Sequence, residues 1–250
     1  MTQRMNTSLI PAAVALIGLV GSLVLEASAA TIVVYGASGQ VGSVIVNEAL
    51  SRGHDVIGVS RHPDSLTNNH SKFSAVAGDA TQLASMLEVI SGTDVVIISV
   101  RGIGPSNSPD DAITSLAART FVQAAAELGD AAPHVIQISG GTTLWLNGVW
   151  GLDDPKLKPG TTSHAQHFGH WQAIETYRDS KDVRWTVMTP PPSAMSSAER
   201  TGKYRLGEDE ILFNAEGNSF ISTEDFALAV IDEAETAQSA GKRVTVGAPM

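Results

Sequence analysis

The sequence predicts a doubly wound α/β fold: a Rossmann-like parallel sheet with helices on both faces and a small C-terminal hairpin and helix subregion. Three observations carry this. Short apolar runs rich in β-branched residues alternate with longer segments of helical periodicity. A glycine triplet, Gly36-Ala37-Ser38-Gly39-Gln40-Val41-Gly42, stands directly after the first such run and before the first helical segment. No internal repeat or low-complexity linker interrupts the alternation, so residues 30–250 read as one domain.

The elements follow in order. Thr31-Ile32-Val33-Val34-Tyr35 is a buried parallel strand ending at Gly36. Residues 41–52 form a helix with Val44, Ile45, Ala49 and Leu50 on one face and Gly53 closing it. Residues 55–60 and 73–77 are the second and third strands. Residues 81–90 read as a helix with Thr81 as its N-cap. The run 94–100 is the most apolar strand and the expected centre of the sheet. A long helix over 110–128, a fifth strand over 134–139, a helix over 163–180 and a sixth strand over 183–188 continue the pattern. Residues 202–214 suggest a hairpin around Gly207-Glu208-Asp209. Thr223-Glu224-Asp225 opens a last helix with acid in its first turn, and 243–246 is a final strand.

Composition narrows the function. The 250 residues are 43% hydrophobic and 17% charged, enough for a large single core. A net charge of -10 argues against nucleic acid as a partner. With 0 cysteines, disulfides, thiolate metal sites, iron–sulfur clusters and cysteine nucleophiles are excluded.

Residues 1–29 read as an export signal. Arg4 supplies a basic start, an uncharged run extends to Glu26, and Ala27-Ser28-Ala29 is a small-x-small cleavage site. Cleavage there removes Arg4 and Glu26, one charge of each sign, and places the mature protein in the periplasm or outside the cell. The alternative is an uncleaved anchor over residues 9–25.

The glycine turn points to a dinucleotide. Gly36 permits the tight turn, Gly39 lets backbone approach a pyrophosphate, and Gly42 allows close packing of helix on strand. Ser38, Gln40 and Val41 complete the turn at a helix N-terminus, where free N–H groups favour phosphate. At the end of the second strand, Ser60-Arg61 stands where an acidic residue would bind the ribose of NAD. Arg61 suits a 2′-phosphate, so NADP(H) is expected over NAD(H). Asp79 is placed near the adenine, and the segment Ser99 to Gly102, with Arg101, on the nicotinamide side.

These motifs, with Gly78-Asp79, resemble atypical short-chain dehydrogenase/reductases of the NAD(P)H-binding, NmrA-like group. The resemblance runs over nearly the whole mature chain. Ser139, Val187-Met188-Thr189-Pro190-Pro191 and Thr201-Gly202-Lys203-Tyr204 narrow it toward the biliverdin reductase B and flavin reductase subgroup. It implies that Thr189 and Pro190 contact cofactor. It also implies an NADPH-dependent reductase acting on a flavin, quinone or similar conjugated small molecule. The alternatives are a non-catalytic NmrA-like dinucleotide sensor and, more weakly, a nucleotide-sugar epimerase.

The wider superfamily uses a Tyr-x-x-x-Lys pair, and Tyr177 and Lys181 have that spacing. They fall at the wrong end of their helix: Tyr177 is ten positions past His167, roughly 15 Å along the axis. Cofactor chemistry occurs at the carboxyl ends of the strands, so a surface pair closing a helix is expected instead. The catalytic candidates at the correct end are Ser139, His167 and His170, the histidines as proton donors or substrate-orienting groups. His164, His167 and His170 rotate around the helix at i, i+3, i+6, and no metal site is expected from them. Trp145 and Trp150 either stack on a planar substrate or anchor the 140–162 loop.

Overall fold

A computed structural model describes residues 29–192, 195 and 198–250. Its main sheet has eight strands: β1 (Thr31–Tyr35), β2 (Asp55–Ser60), β3 (Phe73–Ala77), β4 (Val95–Ile98), β5 (His134–Ile138), β8 (Trp185–Thr189), β9 (Arg205–Gly207) and β10 (Lys242–Gly247). Their spatial order is β3-β2-β1-β4-β5-β8-β10-β9. All neighbours pair in parallel except β10 with β9. A separate two-stranded ribbon joins β6 (Trp145–Leu146) to β7 (Val149–Trp150).

Strand alternation builds two cores. Ile32, Val34, Val95, Ile97, Ile136 and Ile138 point to one face, covered by α1 (Gln40–Ser51) and α5 (Thr223–Thr236). Val33, Tyr35, Val96, Ile98 and Val135 point to the other, covered by α2 (Leu83–Ile90), α3 (Ile113–Leu128) and α4 (Thr162–Asp179). Burial on both faces explains why β1 and β4 are continuously apolar. Arg52 ties the first pair of helices together: from the end of α1 it reaches Asp232 at 2.6 Å and Glu235 at 2.9 Å on α5.

Several expectations need correction. α2 begins at Leu83 with Gln82 at its N-cap. Thr81 instead donates through its backbone N–H and its hydroxyl to Asp79 Oδ1, at 2.9 and 2.7 Å, in an Asx-type turn that competes with helix initiation. The helix expected from residue 110 breaks into a 3-10 turn, Pro109–Asp111, and α3, because Ala112 between them is extended. The expected 202–214 hairpin does not form. β9 instead adds to the sheet edge against β10, and Trp145 N–H donates to Asp209 O at 2.8 Å. The local hairpin lies elsewhere: Asn147-Gly148, with φ of 50° and 78°, turns β6 into β7. Asn-Gly between apolar residues is the strongest short-range hairpin signal, and it was present there.

The expected signal at 1–29 lies, apart from Ala29, outside the described residues. At the start of the described chain, Ala30 N–H donates to His54 Nδ1 at 3.1 Å, and Thr31 N–H to Asp94 Oδ2 at 2.8 Å.

Candidate functional site

The strand order reverses between β1 and β4, and their carboxyl ends lie side by side there. Tyr35 pairs with Ile98, and Ser99 N–H continues the ladder to Tyr35 O at 3.0 Å. An open α/β sheet presents its ligand crevice at such a switch point. The glycine turn occupies it. Gly36 has φ +80°, and a Cβ there would fall 2.3 Å from Ser99 O. A Cβ on Gly42 would fall 2.2 Å from Gly36 O, so both positions require glycine for space. Gly39, at the N-cap of α1, offers no side-chain cap, and the first turn of α1 carries no acidic residue. The helix N-terminus is therefore electrostatically open to an anion.

Two clefts open from this turn and share the wall Ser99, Val100 and Arg101. The first, about 430 Å³, runs past Gly36, Ser38, Gly39, Ser60, Arg61 and Asp79. The second, about 290 Å³, runs past Val41, Ser139, Thr142, His167, His170 and Pro190. Together they form one trough across the carboxyl ends of β2, β1, β4 and β5.

The expected cofactor residues distribute unequally along it. Ser38, Ser60, Arg61, Asp79, Ser99 and Arg101 line the trough; Arg61 and Arg101 are exposed. Asp79 is fixed by Thr81. Gln40 is exposed but lines neither cleft. Thr189 is buried at the end of β8, where its Oγ1 accepts a long hydrogen bond from Arg243 Nε at 3.4 Å; Pro190, the next residue, reaches the cleft. Gly42 acts through packing beneath the turn.

The smaller cleft holds polar atoms that have no partner. Ser139 Oγ, Thr142 Oγ1 and His170 Nδ1 are buried without a hydrogen bond. Each such group costs about 1–3 kcal/mol when left unpaired, so their convergence on one cleft marks a place where a ligand completes the bonding. Tyr35 OH is a further buried unpartnered atom, on the wall of the larger cleft. Sequence reading missed Tyr35 and Thr142, since a strand tyrosine and a loop threonine carry no motif.

The histidines separate by environment. His167 and His170 line the cleft, while His164 stacks on Phe168 with ring centroids 4.3 Å apart. Among the described residues no group of three His, Cys, Asp or Glu is placed to hold a metal. Burial, then the charges of His167 and Arg101, pushes His170 down to about 4; burial also lowers His167. Both rings are therefore biased toward the neutral form at pH 7. They are better placed to orient a polar group than to supply a proton as imidazolium.

Tyr177 is fully buried rather than on the surface, which corrects that part of the sequence reading. Its hydroxyl donates to Gln137 Oε1 at 2.8 Å, and Gln137 Nε2 donates to Thr114 O at 3.1 Å. Tyr177 lines neither cleft. The tryptophans anchor their loop. Trp145 stacks on Trp150 at 5.9 Å, Trp150 packs edge-on to Trp171 at 4.9 Å, and Trp150 Nε1 donates to Thr143 O at 3.2 Å. Arg243 secures the same loop from below, donating to Thr143 O at 2.9 Å and to Asp209 Oδ1 at 2.6 Å.

Comparison with known proteins agrees with this geometry. A family model described as NAD(P)H-binding matches residues 36–237. A solved structure of a candidate epimerase from Bacteroides thetaiotaomicron is 29% identical with a TM-score of 0.76, covering 89% of this chain and 98% of that one. A candidate exported protein from Burkholderia pseudomallei is 29% identical with a TM-score of 0.70, covering 87% and 99%. A candidate NADH-flavin reductase from Streptococcus pneumoniae TIGR4 shares the fold, with a TM-score of 0.71 at 24% identity over 88% and 99%. With the family match spanning most of the chain and the glycine turn set at the switch point, the chain belongs to the NAD(P)H-binding family, in the atypical short-chain dehydrogenase/reductase, NmrA-like group.

Proposed function

We propose that this protein is an NAD(P)H-dependent reductase that prefers NADPH and acts on a conjugated small-molecule acceptor such as a flavin or quinone. One observation carries the reading. A dinucleotide-sized trough ends in a second cleft whose buried polar atoms, Ser139 Oγ, Thr142 Oγ1 and His170 Nδ1, lack partners. The kinship with the Streptococcus candidate NADH-flavin reductase is in keeping with it.

The residues present fit a nicotinamide dinucleotide. In this reading the N–H groups of the turn at Ser38 and Gly39 and of the start of α1 hold the pyrophosphate. Arg61 and Ser60 hold the 2′-phosphate, and Asp79 borders the adenosine. Ser99 and Pro190 flank the nicotinamide end. When bound, the dihydronicotinamide supplies a hydride to the acceptor, which also takes up a proton. Ser139 orients the acceptor through its hydroxyl, and His170 and His167 orient it as neutral rings. With no imidazolium poised at neutral pH, catalysis rests on positioning, and the proton comes from solvent.

The expected leader at 1–29 remains part of this proposal, with the mature protein exported; the Burkholderia relative, described as a candidate exported protein, supports it. No helix among the described residues is long and apolar enough to cross a membrane, and residues 9–25 lie outside that set.

The test is titration of NADPH and NADH into the chain beginning at Ala30, then addition of riboflavin, FMN or a quinone while nicotinamide absorbance is followed. NADPH binding with acceptor-dependent oxidation is expected. Binding without oxidation by any acceptor would favour the sensor reading, which the distance of Tyr177 from the trough also supports.

A further inference from the structure

The reductase reading leaves the acceptor's chemistry open, and the lining of the smaller cleft narrows it. Among the described residues that lining contains one permanently charged side chain, Arg101, and no aspartate or glutamate. This is unusual ground in a chain of net charge -10. Arg101 leaves the sheet three residues past the end of β4 and stands on the wall shared by both clefts. Among the described residues it makes no hydrogen bond and no ion pair. Arg52 and Arg243, by contrast, are engaged, Arg52 with Asp232 and Glu235 and Arg243 with Asp209 and Thr143. Arg101 is close enough to His170 for its charge to act on that ring.

In the same cleft, just past the end of β5, Ser139 is 5% exposed, and its Oγ has no partner; Thr142 Oγ1 is likewise unpartnered. Gly140, between them, lies against the His170 ring, since a Cβ there would fall 2.9 Å from His170 Cδ2. The cleft thus offers the Arg101 cation, the unpartnered hydroxyls of Ser139 and Thr142 beside that of Ser99, the Gln166 amide and the rings of His167 and His170, with Val41, Ile138 and Pro190 as apolar walls. A planar carbonyl compound bearing a carboxylate has a partner for the cation and for the two unpartnered hydroxyls. Its carboxylate takes the planar fork of Arg101, and its carbonyl oxygen accepts from the two hydroxyls.

We infer that the acceptor is a small conjugated carbonyl compound carrying a carboxylate, held at that carboxylate by Arg101 and at its carbonyl by Ser139 and Thr142. The inference rests on the reductase reading for the word acceptor, but the anion site itself is a property of the protein's own residues.

The experiment uses a matched pair of probes, trans-3-benzoylacrylic acid and its methyl ester, which share one conjugated ketone and differ in the charge. A chain with 0 cysteines has no thiol to react with the enone. Binding of each probe is followed by calorimetry, with and without NADPH, in the wild type, Arg101→Met and Arg101→Lys. The acid is expected to bind about tenfold tighter than the ester in the wild type, as a charge-assisted hydrogen bond provides. That preference should vanish in Arg101→Met and partly return in Arg101→Lys, while the unfolding midpoint stays unchanged. Equal binding of acid and ester, absence of binding by both, or a preference that survives Arg101→Met would overturn the inference. Failure of the wild type to bind NADPH would count against the reductase reading alone, and the acid–ester comparison would still judge the anion site.

Discussion

The hydroxyl of Tyr177 donates to Oε1 of Gln137 at 2.8 Å, inside the core between α4 and β5. The tyrosine that matches the superfamily's catalytic spacing is thus a structural residue, held away from both clefts. Replacing it with Phe leaves a buried amide oxygen unpaired, at a cost of about 1–3 kcal/mol. Tyr177→Phe should therefore lower the unfolding midpoint while NADPH affinity and any reductase activity remain. Loss of activity in a folded variant would restore the tyrosine to the chemistry.

Gly42 and Gly36 make the turn dense. A methyl group on Gly42 would fall 2.2 Å from Gly36 O, and the backbone there cannot yield without moving the turn. Gly42→Ala should weaken NADPH binding by at least about tenfold, with circular dichroism showing the sheet intact. An unchanged affinity would mean that the nucleotide does not lie over this turn.

Buried histidines set an acid limit on stability. His134 and His170 are both pushed from 6.5 down to about 4, chiefly by burial, so the unfolded chain binds protons that the folded chain refuses. Stability contributed by their neutral forms is complete above pH 6.5 and is lost as pH falls toward 4. Unfolding midpoints measured across that window should decline steadily, and the decline should be shallower in His134→Gln, whose Nε2 partner is Thr186 Oγ1 at 3.0 Å. A flat profile would show that these rings titrate normally.

The sheet and the glycine turn at its switch point were legible in the sequence for a physical reason. Parallel strands buried on both faces must be apolar throughout, as β1 and β4 are, and a turn this tight against neighbouring backbone must be glycine. What stayed hidden depends on contacts between distant residues. Nothing near residue 205 announces that β9 pairs with β10, because its partner lies about forty residues on, at Thr245–Gly247. The orphaned state of Ser139 Oγ and Thr142 Oγ1 is likewise set by what surrounds them. Thr189 was expected at the cofactor, but it faces Arg243 because strand alternation turns it into the core. The β6–β7 hairpin, by contrast, is local and is marked by its own Asn147-Gly148 pair, whereas Gly207 lies within β9.

Arg61 tests the cofactor assignment. It is exposed beside Ser60 in the lining of the larger cleft, and in the proposed reading it pairs with the 2′-phosphate. Arg61→Ala should reduce NADPH affinity about tenfold and leave NADH affinity within about twofold, since only the former carries the extra phosphate. Equal losses for both would place Arg61 on a shared part of the nucleotide.

The most direct measurement is calorimetric titration of NADPH into the chain beginning at Ala30. The trough along Gly36, Ser60, Arg61 and Ser99 predicts saturable one-to-one binding, tighter than that of NADH, followed by NADPH oxidation once a conjugated acceptor is added. Absence of binding by either nucleotide to the folded protein would contradict the account at its centre.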